Sequence, residues 1–206
     1  MYNIYTTPGF VVGSKPHGEA GKIIFIFTRD FGMVTATAQG IRLEKSKLRY
    51  NLQDYSFGTF SLVRGKEFWR LTSGAEQVIS SIEKGGPIES GPSNSSGQGK
   101  QLTARIALLL RRFLHGEENH PELFDCIRNG IQFLEKVSNI TEEQLKTLES
   151  VIVFRMLELL GYIGKDSVLQ GKLQSNSFSI ELLDELASKR VVINQHINKA
   201  LKESHL

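Results

Sequence analysis

Lys22-Ile-Ile-Phe-Ile-Phe-Thr28, Asp30-Phe-Gly32 and Met33-Val-Thr-Ala-Thr-Ala-Gln39 decide the fold. The two flanking runs are β-branched and aromatic, and Asp-Phe-Gly between them supplies a turn, so the three read as paired strands ended by Gly40. Further on, Tyr55 to Val63 sets Tyr55, Phe57, Thr59 and Ser61 on one face and the residues between them on the other. Arg64-Gly-Lys66 then turns the chain into Glu67–Thr72. With an opening strand at Phe10–Gly13, five short strands fall within the first 80 residues. That spacing predicts a small barrel or sandwich.

Lys84 to Lys100 breaks the pattern with Gly, Pro and Ser and almost no apolar residue after Ile88. It reads as a flexible linker or surface insertion. From Leu102 onward the apolar period becomes helical. Leu102, Ile106, Leu109, Leu110 and Phe113 form one stripe, and Pro121 opens a second with Leu123, Ile127, Ile131 and Leu134. Thr141-Glu-Glu-Gln144 is a capping box leading a helix to Gly161, and Ile193, Ile197 and Leu201 stand four apart near the end. The expected organisation is therefore a β domain over 1–80, a linker over 81–100 and a bundle of about five helices over 101–206.

Charge is uneven. Residues 1–84 carry 11 Lys/Arg against 7 Asp/Glu, a net +4, whereas residues 85–206 carry 14 against 15, a net −1. Gly40-Ile-Arg42-Leu-Glu-Lys45-Ser-Lys47-Leu-Arg49 concentrates four cations against one acid. A loop that offers several long cations at a sheet edge suits a polyanion, which it holds by neutralising charge and releasing counterions. The plainer alternative is a solvated basic loop with no partner.

Signals for catalysis are missing. His17, His115, His120, His196 and His205 share no metal-ligand spacing with an acid, and one cysteine, Cys126, cannot build a disulfide or a cysteine zinc site. Cys126 sits on an apolar helix face, where an inert core thiol is the default. Gly97-Gln-Gly99-Lys100 fails as a phosphate loop, because Asn94 stands where Gly is needed and Gln101 where Ser or Thr is needed. No enzyme, metal or cofactor is expected. The N-terminus lacks the charged and apolar regions of a signal peptide, and no run is long enough to span a membrane. A cytoplasmic protein is expected.

Arg155 stands apart. It lies seven residues after Leu148 and four before Leu159, within about 40° of both on the apolar stripe. One reading is an internal partner such as Glu158 or Glu149, or snorkelling to the edge. The other is an apolar pocket with a guanidinium at its rim, suited to a peptide that carries an aromatic ring and carboxylates.

With these motifs in place, the chain resembles the RecO family of bacterial DNA repair proteins. The carrying residues are Gly9-Phe-Val-Val-Gly-Ser-Lys-Pro16, Gly18-Glu19, Ile26-Phe-Thr-Arg29 with Gly32, Ala38-Gln-Gly40-Ile-Arg42, Lys45-Ser-Lys-Leu48, Leu52-Gln53 and Thr72–Glu76. Phe154-Arg-Met-Leu-Glu-Leu-Leu-Gly161-Tyr162 and Ala200-Leu-Lys-Glu-Ser204 extend it into the second half. The resemblance implies an α+β two-domain protein, a five-stranded OB-fold barrel followed by a C-terminal α-helical bundle. It further implies a nucleoid-associated recombination mediator that binds single- and double-stranded DNA and anneals complementary strands. Such a mediator works with RecR to load RecA on DNA coated by single-strand-binding protein, whose acidic tail docks on the helical domain. Many relatives carry a four-cysteine zinc module after the Leu-Gly-Tyr segment; Ile163–Ser179 has no cysteine, so this chain reads as a zinc-less version.

The DNA surface is expected to centre on Arg42, Lys45, Lys47 and Arg49, with Lys15, Lys22 and Arg70 as outlying contacts. Tail docking is expected at Arg155, with Arg111 and Arg112 as the next candidates. A sequence-tolerant single-strand binder with no recombination role is the runner-up, and an adaptor with an inert basic loop is a third reading.

Overall fold

The computed structural model describes residues 2–42, 52–76, 97–137, 139–164 and 177–204. Five strands, β1 (Ile4–His17), β2 (Gly21–Thr28), β3 (Gly32–Ala38), β4 (Phe57–Val63) and β5 (Trp69–Glu76), precede five helices. These are α1 (Gly97–Phe113), α2 (Pro121–Lys136), α3 (Glu142–Leu159), α4 (Ile180–Ala187) and α5 (Arg190–Glu203). The chain divides into two compact units, one of Met1–Lys84 with Ala104–Pro121 and one of Gly85–Thr103 with Glu122–Leu206. The boundary therefore runs through α1, and Ala104–Pro121, helical as far as Phe113, groups with the barrel. The expected linker lies mostly outside the described residues, at 77–96.

The strands close into a barrel in the order β1-β2-β3-β5-β4, which is the OB arrangement. β1 is far longer than the four-residue strand expected, because it has two partners. Its first half pairs antiparallel with β4 (Ile4↔Val63 to Phe10↔Phe57) and its second half with β2 (Gly9↔Thr28 to His17↔Gly21). The change of partner needs a bend, and a bulge between Val11 and Gly13 provides it. Gly13 has φ 152°, open to a residue without Cβ. At the bulge Val11 N–H donates to Ser56 O, and Val11 O accepts from Tyr55 N–H. β3 and β5 close the barrel through a short parallel pairing, Ala36↔Trp69 and Thr37↔Arg70.

Alternation decides what fills the barrel. Ile24 and Ile26 of β2, Val34, Ala36 and Ala38 of β3, Phe60 and Leu62 of β4, and Trp69 and Leu71 of β5 form one buried cluster with Val11, Ile41 and Leu52. Each large side chain among them contributes about 1.5–3 kcal/mol by leaving water.

In the second unit α3 is buried on every side over Val151–Leu157, which explains why it lacks the one-sided pattern of a surface helix. α2 buries Leu123, Phe124, Cys126, Ile127, Ile131 and Leu134. Gly130 admits α3 closely, since a Cβ there would stand 2.7 Å from Ile152 Cδ1. The capping box at Thr141 forms in both directions: Gln144 N–H donates to Thr141 Oγ1 (3.2 Å) and Thr141 N–H to Gln144 Oε1 (3.0 Å). Gln144 also reaches Asp184 of α4 (2.8 Å), and Glu143 pairs with Arg190 of α5 (2.6 Å).

Candidate nucleic-acid interface

The register of the barrel places the predicted cations. Lys15 pairs with Ile23, Ile23 with Thr37, and Thr37 with Arg70. Residues in such a row point to one side of the sheet, so Lys15 and Arg70 share the outer face, three strand spacings or about 14 Å apart along it. Both are exposed. Lys22 has the parity of the core residues Ile24 and Ile26 and stands at the barrel's rim, beside the β1–β2 turn. Arg42 is fixed at the same turn. Its N–H donates to Ala20 O (3.1 Å), and its Nη1 lies 3.5 Å from Gly18 O. Lys15, Lys22 and Arg42 thus gather at one hairpin end, together with the acid Glu19. Lys45, Lys47 and Arg49 lie outside the described residues.

Arg111 joins this face from α1. Its Cζ stands 4.4 Å from the centroid of the Phe25 ring, and Lys15 Nζ stands 5.8 Å from the same centroid. Phe25 pairs with Gly13, and a Cβ at Gly13 would meet Arg111 Nη1 at 3.3 Å. The bulge glycine therefore leaves the seat in which the guanidinium rests. Sequence reasoning missed Phe25, yet a signal was present: with Ile24 and Ile26 inside, parity puts Phe25 outside, an aromatic ring on a solvent-side position of a strand. Arg111 and Arg112 belong to the barrel unit, and both are exposed.

The Arg64–Trp69 edge, one residue along β5 from Arg70, is electrically closed. Glu117 accepts from Trp69 Nε1 (2.8 Å) and from Arg64 Nη2 (2.9 Å), while Arg64 Cζ lies 5.4 Å from the Trp69 ring. Tyr5, Phe31 and Trp69 pack edge-on or tilted at 5.4–5.6 Å around it. The cation here is neutralised, so this cluster fastens the segment after α1 and adds little to a phosphate-binding field. Gly32 serves the same attachment, because Met33 N–H donates to Gly116 O (3.1 Å).

In the helical unit Arg155 is buried, 2% exposed. Its Cζ lies 4.5 Å from the centroid of Phe178. Burial lowers its pKa, against the opposing influence of the adjacent Cys126 thiol and, more weakly, Glu158. The aromatic face and the thiol are among its near neighbours. Among the described residues no three His, Cys, Asp or Glu side chains gather as a metal site, and no helix is long and apolar enough to cross a membrane.

Fold and surface together define a small OB-type barrel with a basic outer face, followed by a helical unit. Residues 1–77 match the family described as recombination protein O N terminal. The chain is similar to the DNA repair protein RecO of Desulfitobacterium hafniense, 24% identical over 161 residues that cover 77% of this chain and 52% of that protein. It is 27% identical to the RecO of Dehalococcoides mccartyi over 158 residues, 77% of this chain and 56% of that one. Over 69 residues it is 36% identical to the RecO of Rubrobacter xylanophilus, covering 34% and 28% of the two chains. The chain spans about half the length of curated relatives that it matches along most of its length.

Proposed function

We propose that this chain acts as a recombination mediator that works by binding, without catalysing a reaction, in the cytoplasm at the nucleoid. The barrel holds single- and double-stranded DNA through Lys15, Lys22, Arg42 and Arg70 and through Lys45, Lys47 and Arg49 of the neighbouring basic segment. Held this way, complementary strands are annealed with little preference for sequence, because these contacts are to phosphate and supply no base-edge reader. The observation that carries the reading is the gathering of Lys15, Lys22 and Arg42 at one hairpin end of a barrel that matches a recombination-protein family.

In the fuller form of the proposal the helical unit receives the acidic tail of single-strand-binding protein, with Arg155 pairing the tail once Phe178 is displaced. The protein then acts with RecR to help load RecA. The test is annealing of complementary strands coated with cognate single-strand-binding protein. Annealing faster than the spontaneous rate supports the mediator. Binding to naked single strands with no annealing and no affinity for the tail peptide leaves the simpler single-strand binder.

A further inference from the structure

Arg111 and Phe25 form a contact that charge neutralisation alone does not use. A guanidinium is flat and stacks on aromatic rings, and a second flat ring can stack on its free face. The Arg111 Cζ lies 4.4 Å from the Phe25 ring centroid, and its Nη1 occupies the space a Cβ at Gly13 would crowd. Arg111 is nevertheless an exposed residue, and nothing among the described contacts covers it from the side away from Phe25. Lys15 stands over the same ring, and neither cation has an acidic partner among the described residues. Arg64 on Trp69 is the instructive contrast: the same pairing occurs there, but Glu117 takes up its charge.

We infer that Arg111, held by Phe25 and Gly13, is a stacking shelf for one unpaired nucleobase, with Lys15 placed to meet the adjoining phosphate. The occupant is single-stranded DNA. Bases in a duplex have both faces covered by their neighbours, whereas an unpaired base has an open π face that any base offers. The shelf therefore gives the barrel a preference for single strands without sequence reading. This inference rests on the proposed DNA-binding role of the barrel, and it moves Arg111 from tail docking to the nucleic-acid face. The competing role is mechanical, in which Arg111 only fastens α1 to the barrel.

The experiment compares the intact chain with Arg111→Lys, which keeps the charge and removes the plane. Three probes are used at one salt concentration: oligo(dT), an abasic strand of the same length, and a duplex. The wild type should bind oligo(dT) about tenfold more tightly than the abasic strand, and Arg111→Lys should lose most of that ratio while its duplex affinity changes less than about twofold. Because the ratio is internal to each variant, a loss of stability does not mimic the effect. An unchanged ratio in Arg111→Lys overturns the shelf and leaves the fastening role. Wild-type protein that binds none of the three probes removes the DNA-binding reading itself, a different outcome from failure of the shelf.

Discussion

The guanidinium of Arg155 lies against the ring of Phe178, 4.5 Å from Cζ to centroid, inside the helical unit. A cation in that position has exchanged water for a π face and a thiol, and the exchange is tolerable only while both neighbours stay in place. Arg155→Ala removes a large buried side chain and leaves a cavity. It should lower stability by about 2–4 kcal/mol. Arg155→Met, which refills the space without a charge, should cost less than about 1.5 kcal/mol. Urea unfolding of the two variants checks the order. Equal losses would show that the charge matters more than the volume.

Cys126 beside it titrates in the opposite sense. Burial pushes the thiol up to about 11 from 9.0, with only partial opposition from Arg155. The folded state thus favours the neutral form, so the stabilisation is fully present below about pH 9 and is lost as pH rises through 11. Unfolding free energies measured from pH 8 to 11 should fall more steeply for the wild type than for Cys126→Ala. The folded thiol should also react slowly with a disulfide reagent at neutral pH, and at full rate once unfolded. Parallel pH curves for the two proteins would contradict the burial.

Gly32 governs the attachment of the segment after α1. Its φ is 66°, and a Cβ there would fall on the Glu118 backbone, 2.1 Å from the carbonyl oxygen. Gly32→Ala must strain the strand end or push that segment away, and should cost about 1–3 kcal/mol. Gly97→Ala, with open space around it, is the control and should be neutral or slightly stabilising. Thermal unfolding of both variants makes the comparison.

Much of this was legible in the chain. The strands from Lys22 to Gln39 and the capped helix from Thr141 sit within a residue or two of their sequence signals, because alternation and capping are local. The first half of β1 was not legible, since Tyr5-Thr-Thr-Pro-Gly9 becomes a strand only through its pairing with β4. β5 outlasts its expected end at Thr72 because Ser61↔Ser73 and Leu62↔Leu71 leave residue 72 as a bulge. Arg155 was visible on the apolar stripe, but Phe178 and Cys126 come to it from distant points in the chain. The same is true of Arg111 and Phe25, 86 residues apart. Tertiary pairs of this kind have no local pattern to announce them.

In the proposed role, the outer face and rim around the β1–β2 turn hold the phosphate backbone. The most direct measurement is the slope of log binding constant against log salt for wild type and for the Lys15, Lys22, Arg42, Arg70 quadruple alanine variant. Each lost phosphate contact removes roughly 0.7–0.9 from the slope, so the variant should be flatter by about three and weaker for every sequence alike. Arg64→Ala, which removes a cation already neutralised by Glu117, should keep the wild-type slope. A quadruple variant with wild-type slope and affinity, or an Arg64→Ala that flattens the slope, would contradict the account.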